Sequence, residues 1–384
     1  MSSLPLYFDY AATTPVDDRV IQHMVTCLGR EGTFGNPAST SHTYGNQARQ
    51  AVELARRQVA ELVGTQAQAL VWTSGATESN NLAIKGVASG GEPNRRHLIT
   101  SRIEHKAVID TVRQLEQVGH PVTWLEPDSQ GLIQPEAVRQ ALRPDTQLVS
   151  LMLVNNELGT LTDISSIGRI VREHGAIFHV DAAQGTGKVA IDLSTLDVDL
   201  MSFSAHKTYG PKGIGALYIG ERAWPLLDAQ MHGGGHEQGF RSGTLATHQI
   251  VGMGAAFALS SAEMVGETQR ISALSARLRD GLLKLPGVTL NGCARQRIPH
   301  TLNICVDSPG FNVMSLSHAL AVSSTSACNS AAGGASHVLL ALGLSPEKAA
   351  TGVRLSLGRY TQAADVDKAI EALSACLVSQ ATFW

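Results

Sequence analysis

The sequence predicts an α/β fold, in which helices flank a mainly parallel mixed sheet, together with a smaller α+β domain. Strand-like runs alternate with helical periodicity through about residue 260, which is the order expected when helices connect parallel strands. The strand-like runs are almost continuously apolar, as expected of strands that helices cover on both faces. Beyond about residue 260 this alternation gives way to a different pattern.

The first helical segments are identified by apolar spacing and by their end residues. One helix has apolar residues at 4-3-4-3 spacing from Ala48 to Leu62, and Gly64 follows where a C-cap belongs. Asp163 can cap the start of a second helix, which Gly175 ends. The predicted strands between such segments are Leu70–Thr73, His97–Thr100, Leu148–Val154, Ile177–Val180, Leu200–Phe203 and Ala216–Ile219.

The last third of the chain contains a long helical pattern that ends at Pro286-Gly287, followed by shorter strands over Thr301–Val306 and Val353–Leu357 and by a final helix. We therefore predict two domains. Residues 16–259 form the large domain, and residues 1–15 plus 260–384 form the small one. The N-terminal run Leu4–Tyr10 is expected to pack against the small domain.

Composition argues against several functional classes. The 384 residues include 30 Lys plus Arg and 33 Asp plus Glu, so the chain lacks the basic excess of proteins that bind nucleic acid directly. No apolar run approaches the ~18 residues that span a bilayer, and the N-terminus does not resemble a secretory signal. We expect a cytoplasmic protein that does not contact membranes.

Metal and nucleotide motifs are also weak. The five cysteines are scattered without a CxxC pair, which argues against a disulfide scaffold or a zinc ribbon. His232 and His236 have zinc-pair spacing, but three glycines separate them and no third ligand is evident. The segment Gly185–Lys188 lacks the leading Gly and the Ser/Thr of a phosphate-binding Walker loop. We predict no metal.

Three segments that follow predicted strands carry candidate chemistry. Backbone N–H groups of Gly75, Ala76 and Thr77 can cradle an anion at a helix start, although Thr73 or Ser74 can equally be an ordinary N-cap. Asp181 ends a strand and is either a functional carboxylate or a cap. Lys207 follows another strand and is either a nucleophilic amine or a surface lysine.

A fourth segment contains the most accessible-looking thiol. Cys328 lies in a Ser-rich stretch, whereas Cys305 lies in an apolar strand and Cys376 in a helical pattern. The sequence around Cys27 and Cys293 does not indicate whether either thiol is reactive or structural. We select Cys328 as the reactive thiol.

Together these segments suit pyridoxal 5'-phosphate (PLP). The lysine would form an imine, the carboxylate about 25 residues before it would keep the pyridinium nitrogen protonated, and the helix start would take the phosphate.

The same residues lie in motifs that resemble the IscS/NifS-type cysteine desulfurases, which belong to the class V aminotransferase family of PLP fold type I. The matches occur in the family's order from residue 7 to about 360, nearly the whole chain. They are Tyr7–Pro15, Gly35–Ser39, Thr73–Ser79, Glu104–Lys106, Val154–Glu157, His179–Gln184, Ser204–Lys207, His232–Glu237, Arg241–Thr244 and Ser326–Cys328.

The resemblance implies how the cofactor is held. Lys207 would be the Schiff-base lysine, Asp181 would pair with the pyridine nitrogen, and Gln184 would bond the phenolic oxygen. His105 would stack on the ring and act as an acid or base. The phosphate would be held by Thr77, Ser204 and His206, and by Thr244 of a second subunit, which implies a homodimer.

The resemblance also implies the reaction. Asn156 and Arg354 would bind the carboxylate of L-cysteine, and Cys328 would receive its sulfur as a persulfide while L-alanine leaves. A protein acceptor, either an Fe–S scaffold or a sulfurtransferase, would take the sulfur. The enzyme alternative is a selenocysteine lyase or another class V PLP enzyme, and the non-enzyme alternative is an idle sulfur-relay or scaffold subunit.

Two departures from the family concern sulfur delivery. Thr325 replaces the glycine of the family's Ser-Ser-Gly-Ser-Ala-Cys, and a β-branched residue stiffens the backbone. The sequence ends at Trp384, whereas long-form members continue into a tail implicated in docking the Fe–S scaffold. The resemblance therefore does not determine which acceptor takes the sulfur.

Overall fold

The structure is a computed structural model that describes residues 4–91, 94–324 and 335–381. Thr325 and Cys328 lie outside these residues. The described strands are β1 Leu6–Tyr7, β2 Leu70–Thr73, β3 His97–Ser101, β4 Val122–Leu125, β5 Thr146–Met152, β6 Ile177–Asp181, β7 Leu200–Ser204, β8 Gly215–Ile219, β9 Val288–Leu290, β10 Thr301–Val306, β11 Leu320–Ala321, β12 Ser323–Ser324 and β13 Gly352–Ser356.

The α-helices have end residues that follow from the sequence. Asp163 accepts the N–H of Ser166 at 3.0 Å, and Gly175 closes the same helix at φ +84°, a backbone angle that glycine tolerates best. The described helices are α1 Asp18–Val25, α2 Thr43–Leu62, α3 Ala76–Gly90, α4 Lys106–Gln117, α5 Pro135–Ala141, α6 Ile164–His174, α7 Thr247–Leu282, α8 His337–Ala341, α9 Pro346–Ala350 and α10 Ala363–Ala381.

The larger sheet has seven strands, in the order β2-β8-β7-β6-β5-β3-β4. Six strands are mutually parallel, and β8 is antiparallel to both of its neighbours. Only residues 205–214 connect β7 to β8, which is too short for the helical crossover that a parallel pair needs. The predicted α/β class with a mainly parallel sheet is confirmed. The strand β4 was absent from the sequence-based prediction because its run is only partly buried.

A second, antiparallel sheet has the order β12-β13-β10-β9 and packs on its own apolar cluster. The N-terminal segment joins this unit: β1 pairs in parallel with β11, and Phe8 is fully buried in the cluster. Phe8 also accepts the N–H of Ser356 at 2.7 Å. The predicted packing of Leu4–Tyr10 against the C-terminal strands is therefore present.

Helix α7 extends from an apolar cluster beneath the seven-stranded sheet to the apolar cluster beneath the small sheet. It has 36 residues and is about 54 Å long at 1.5 Å per residue. Its first half buries Ile250 and Phe257 against the large sheet, and its second half buries Ile271 and Leu278 against the small sheet. The predicted boundary at residues 259 and 260 falls inside this continuous helix, so the division into two domains stays a prediction. No helix among the described residues is long and apolar enough to cross a membrane.

Candidate active site

A cavity of about 550 Å³ opens at the edge of the large sheet where five parallel strands end. In an open α/β sheet this carboxyl edge is the usual position of a ligand site. The sequence-predicted residues that line it are Gly75, Ala76, Thr77, His105, Asn156, Asp181, Gln184, Ser204, His206, Lys207 and Arg354. Thr244 is exposed and does not line this cavity, and Cys328 lies outside the described residues.

Lys207 reaches the cavity from a short 3₁₀ turn that follows β7 directly. Its Nζ donates to the carbonyl of Ala11 at 2.7 Å and to that of Ala12 at 3.3 Å. The side chain is thus held by the N-terminal segment and lines the cavity, so the surface-lysine alternative is wrong. The carbonyls of Ala11 and Ala12 were not predicted, since a backbone acceptor leaves no mark on residue type.

Asp181 is the last residue of β6 and is almost completely buried. One carboxylate oxygen accepts the N–H of Ala183 at 2.9 Å, which is the local turn bond expected of a cap. The other accepts from Nδ2 of Asn80 at 2.8 Å. Asn80 is fully buried within α3, and sequence reasoning missed it because its partner lies 101 residues away.

The start of α3 forms the predicted anion cradle. Its N-cap residue is Gly75 at φ +151°, a conformation that disfavours any other residue, and no described side chain caps it. Thr73 bonds instead to Ser79 at 2.7 Å, so the alternative of a Thr or Ser side-chain cap is wrong. The first backbone N–H groups of a helix have no intrahelical acceptor, so those of Ala76 and Thr77 are available to an anion.

A carboxylate also lies at this helix start. Glu78 accepts the N–H of Ser74 at 2.7 Å and the guanidinium of Arg241 at 2.8 Å. Although burial favours the neutral form, the pKa of Glu78 is lowered because Arg241 and Ser74 stabilise its charge. Arg241 therefore compensates the one acidic group at the anion cradle. No role for this pair was predicted from the sequence.

His105 caps helix α4 and faces the cavity. Its Nδ1 accepts the N–H of Ala107 at 3.1 Å, so a neutral ring carries its proton on Nε2. Burial lowers the pKa of His105, and the charge of Lys207 lowers it further while Asp181 opposes both. The geometry therefore favours a neutral imidazole that donates from Nε2 into the cavity.

His206 lies on the same turn as Lys207, and its Nδ1 is 3.1 Å from the hydroxyl of Thr13. Burial lowers the pKa of His206 to about 4, and Lys207 adds to the effect. His206 is thus neutral at pH 7, and it can give a hydrogen bond but no charge to an anion.

The opposite wall of the cavity comes from the small sheet. Arg354 on β13 forms an ion pair with Asp9 at 2.8 Å, and it donates to the hydroxyl of Ser323 and to the carbonyl of Asn156 at 2.8 and 2.9 Å. Its Nε is buried and has no partner among the described residues, and the same holds for Oδ1 of Asn156. A carboxylate at this wall would satisfy the guanidinium.

Two buried carboxyl groups lie next to the cavity residues. Burial raises the pKa of Glu104, which precedes His105, to about 8. Burial also raises the pKa of Glu157 to about 7, and its carboxyl accepts a hydrogen bond from Ser336. Among the described residues, no group of His, Cys, Asp and Glu side chains is placed to hold a metal ion.

The family model for class-V aminotransferases matches residues 6–369. The cysteine desulfurase IscS of Azotobacter vinelandii is 58% identical over 367 residues, which cover 95% of this chain and 91% of that protein. The IscS of Methylococcus capsulatus is 59% identical over 368 residues, with coverage of 96% and 91%.

Solved structures show the same relationship. A NifS-like protein superposes with a TM-score of 0.88 at 35% identity, covering 98% of this chain and all of that one. SspA, solved in complex with cysteine, superposes with a TM-score of 0.84 at 38% identity, covering 93% of this chain and all of that one.

Proposed function

The chain belongs to the class-V aminotransferase family, and we propose that it is a PLP-dependent cysteine desulfurase whose reaction depends on Lys207, His105 and Cys328. The observation that carries this proposal is the convergence of Lys207, Asp181, Gln184 and the start of α3 on one cavity of about 550 Å³. Close similarity to cysteine desulfurases over nearly the whole chain supports the enzyme type and its cofactor.

The residues present fit PLP. Lys207 supplies the amine for its aldehyde, and Asp181 supplies a buried anion for its pyridine nitrogen. The uncapped N–H groups of Ala76 and Thr77 at the start of α3 suit its phosphate, together with the hydroxyl groups of Thr77 and Ser204. When bound, PLP supplies an electron sink that stabilises negative charge at the α-carbon of an amino acid.

L-Cysteine would bind through its carboxylate at the small-sheet wall. Arg354 offers the buried Nε without a described partner, and Asn156 lies beside it. Because Nη2 of Arg354 already donates to Asp9 and Ser323, the substrate carboxylate would accept a charge-assisted hydrogen bond from Nε. Since Arg354 already pairs with Asp9, its side chain is held in place before substrate arrives.

Proton transfer would involve two residues on the sheet edge. The Lys207 amine would remove the proton from the substrate α-carbon. His105 is neutral with its proton on Nε2, so it first acts as a hydrogen-bond donor or acid toward the substrate, not as a base.

Sulfur transfer requires a thiolate from Cys328. The thiolate attacks the substrate sulfur, an S–S bond forms, and the bond between the substrate β-carbon and sulfur breaks with its electron pair remaining on the carbon fragment. Protonation of that fragment gives L-alanine, and Cys328 holds the persulfide for transfer to a protein acceptor.

Two further parts of the proposal concern partners. Thr244 is exposed and away from the cavity of its own chain, so the predicted phosphate contact requires a second subunit in a homodimer. The acceptor is proposed to be an Fe–S scaffold or a sulfurtransferase. A cytoplasmic location also stays a prediction.

The test is to incubate the enzyme with L-cysteine in the absence of any keto acid. We expect one alanine per sulfur released, with a persulfide on the protein, and we expect Cys328→Ala to abolish both. Cys376→Ala is the matched control and should retain activity. Normal sulfide release by Cys328→Ala would contradict the persulfide route. A requirement for a keto acid would indicate an aminotransferase. A preference for selenocysteine would indicate a selenocysteine lyase, and the absence of cofactor absorption would indicate an idle subunit.

A further inference from the structure

Lys188 lies behind the part of the cavity wall that Gln184 forms, and the roles described above do not use it. Its Nζ donates to Oε1 of Gln184 at 3.2 Å. The amide nitrogen of Gln184 donates to the carbonyl of Ala11 at 2.8 Å. Because these contacts engage both ends of one amide, they act together on its orientation.

Only one orientation of the Gln184 amide satisfies both neighbours. The carbonyl of Ala11 can only accept, so it requires the NH₂ end, and the ammonium of Lys188 can only donate, so it requires the oxygen end. An NH₂ group carries two hydrogens, and Ala11 uses one of them. Gln184 is nearly fully buried and lines the cavity, so the second N–H is the donor that it can offer to a ligand there.

We propose that Lys188 is a positioning residue that holds the Gln184 amide with an N–H toward the phenolic oxygen of the cofactor. The inference rests on the proposed function, since it requires PLP in the cavity. Without the Lys188 donor, only the carbonyl of Ala11 holds this orientation, so the amide rotates more readily and can present its carbonyl oxygen to a phenolate, which is repulsive.

The surroundings of Lys188 support a specific role. The pKa of Lys188 is lowered to about 7, mainly by burial and also by the cations Lys207 and Arg354, whereas Glu267 of α7 opposes these effects. His300, which precedes β10, has a pKa lowered to about 3 by burial and by the charge of Lys188. Burying a lysine costs free energy unless it makes specific contacts, and lysines without such contacts usually lie in solvent. A neutral amine still donates, so the contact with Gln184 persists above pH 7.

The experiment is a pH titration of the absorption band of the Lys207–cofactor imine, expected near about 420 nm, in the holoenzyme. A hydrogen bond donated to the phenolate oxygen weakens the interaction of that oxygen with the imine proton. Lys188→Met should therefore raise the pKa of the chromophore by about one pH unit, the size of one hydrogen bond. Lys188→Arg, which keeps a charged donor, should restore at least half of the shift.

A double-mutant cycle separates positioning from a simple charge effect. If Lys188 acts through Gln184, Lys188→Met should cause no further shift in a Gln184→Ala background, whereas a charge effect would persist there. Lys284→Met, which removes an exposed lysine, is the charge-matched control and should leave the pKa of the chromophore unchanged. If Lys188→Met does not fold, Lys188→Leu serves as the second variant.

The outcomes also separate this inference from the proposed function. A wild-type enzyme without the absorption band would overturn both. A wild-type band with no shift in Lys188→Met, or with the same shift in the Gln184→Ala background, would overturn only the role of Lys188.

Discussion

The cavity has two walls that are built differently. The sheet-edge wall is formed by residues at the carboxyl edge of the seven-stranded sheet, such as Asp181 and His105, and the small-sheet wall is formed by Arg354 and Ser323. On the sheet-edge wall, functional residues lie within a few positions of a strand end, and local bonds orient two of them, Asp181 through Ala183 and His105 through Ala107. On the small-sheet wall, Arg354 is held by Asp9, which lies 345 positions earlier in the chain. Strand order therefore positions the cofactor side, whereas contact between the two chain ends positions the substrate side.

This difference predicts a separation of effects. Substitutions on the sheet-edge wall should change the cofactor spectrum and the rate of the chemical step. Substitutions on the small-sheet wall should change substrate affinity and leave the spectrum intact.

The largest effect is expected for Asp181→Asn. Asparagine keeps the shape and accepts a hydrogen bond, but it cannot stabilise a protonated pyridine nitrogen by charge. We expect kcat for alanine formation to fall about 100-fold or more, with a changed absorption spectrum. Steady-state kinetics and absorption spectra measure both. Asp280→Asn on the surface is the control, and an unchanged spectrum in Asp181→Asn would remove Asp181 from the cofactor site.

Arg354→Ala should raise KM for L-cysteine about 10- to 100-fold, because the carboxylate loses its guanidinium partner. The absorption band of the bound cofactor should be unchanged, which is the opposite pattern to Asp181→Asn. Arg354→Lys keeps the charge but loses the planar fork, so it should recover only part of the affinity.

Arg277→Ala, which removes an exposed ion pair with Asp367, is the matched control for folding. Loss of the cofactor band in Arg354→Ala, in a protein that still folds, would contradict the separation of the two walls.

A smaller effect concerns stability beneath the sheet-edge wall. Burial holds the pKa of Glu104 at about 8, against an ordinary value of 4.5, so the folded state keeps a proton that the unfolded state loses. Stability from this group is present below pH 4.5 and is lost as pH rises toward 8, at roughly 1.4 kcal/mol per pH unit at most. Glu104→Gln does not titrate, so its free energy of unfolding relative to wild type should rise between pH 6 and 8.

Chemical denaturation at several pH values measures this difference. Glu157 titrates in both proteins, so its contribution cancels in the comparison. The exposed Glu126→Gln is the control and should run parallel to wild type. A Glu104→Gln curve that also runs parallel to wild type would show that Glu104 is ionised in the folded protein.

The same contrast explains what the sequence could predict. Asp181 and Lys207 were identified because each lies within a few positions after an apolar run, and parallel strands bring their ends to one edge. The strands β2 and β10 were predicted with their observed bounds because each is a mainly apolar run. The fold class likewise followed from the alternation of strands and helices.

Contacts between distant elements could not be predicted in this way. Asn80 is a polar residue on a helix, and its bond to Asp181 depends on how α3 packs on the sheet. The ion pair of Arg354 with Asp9 depends on β1 joining the C-terminal strands. The contact between Lys188 and Gln184 has helical spacing, but residue type alone does not show that it faces the cavity.

The most direct test of the central claim is to reduce the holoenzyme with borohydride and map the lysine that carries the cofactor. Among the residues that the structure describes, three lysines lie in or beside the cavity, namely Lys188, Lys207 and Lys212. We predict that the reduced cofactor is found on Lys207 alone and that addition of L-cysteine before reduction removes the label. Label on Lys188 or Lys212, or no labelled lysine in a folded holoenzyme, would contradict the account.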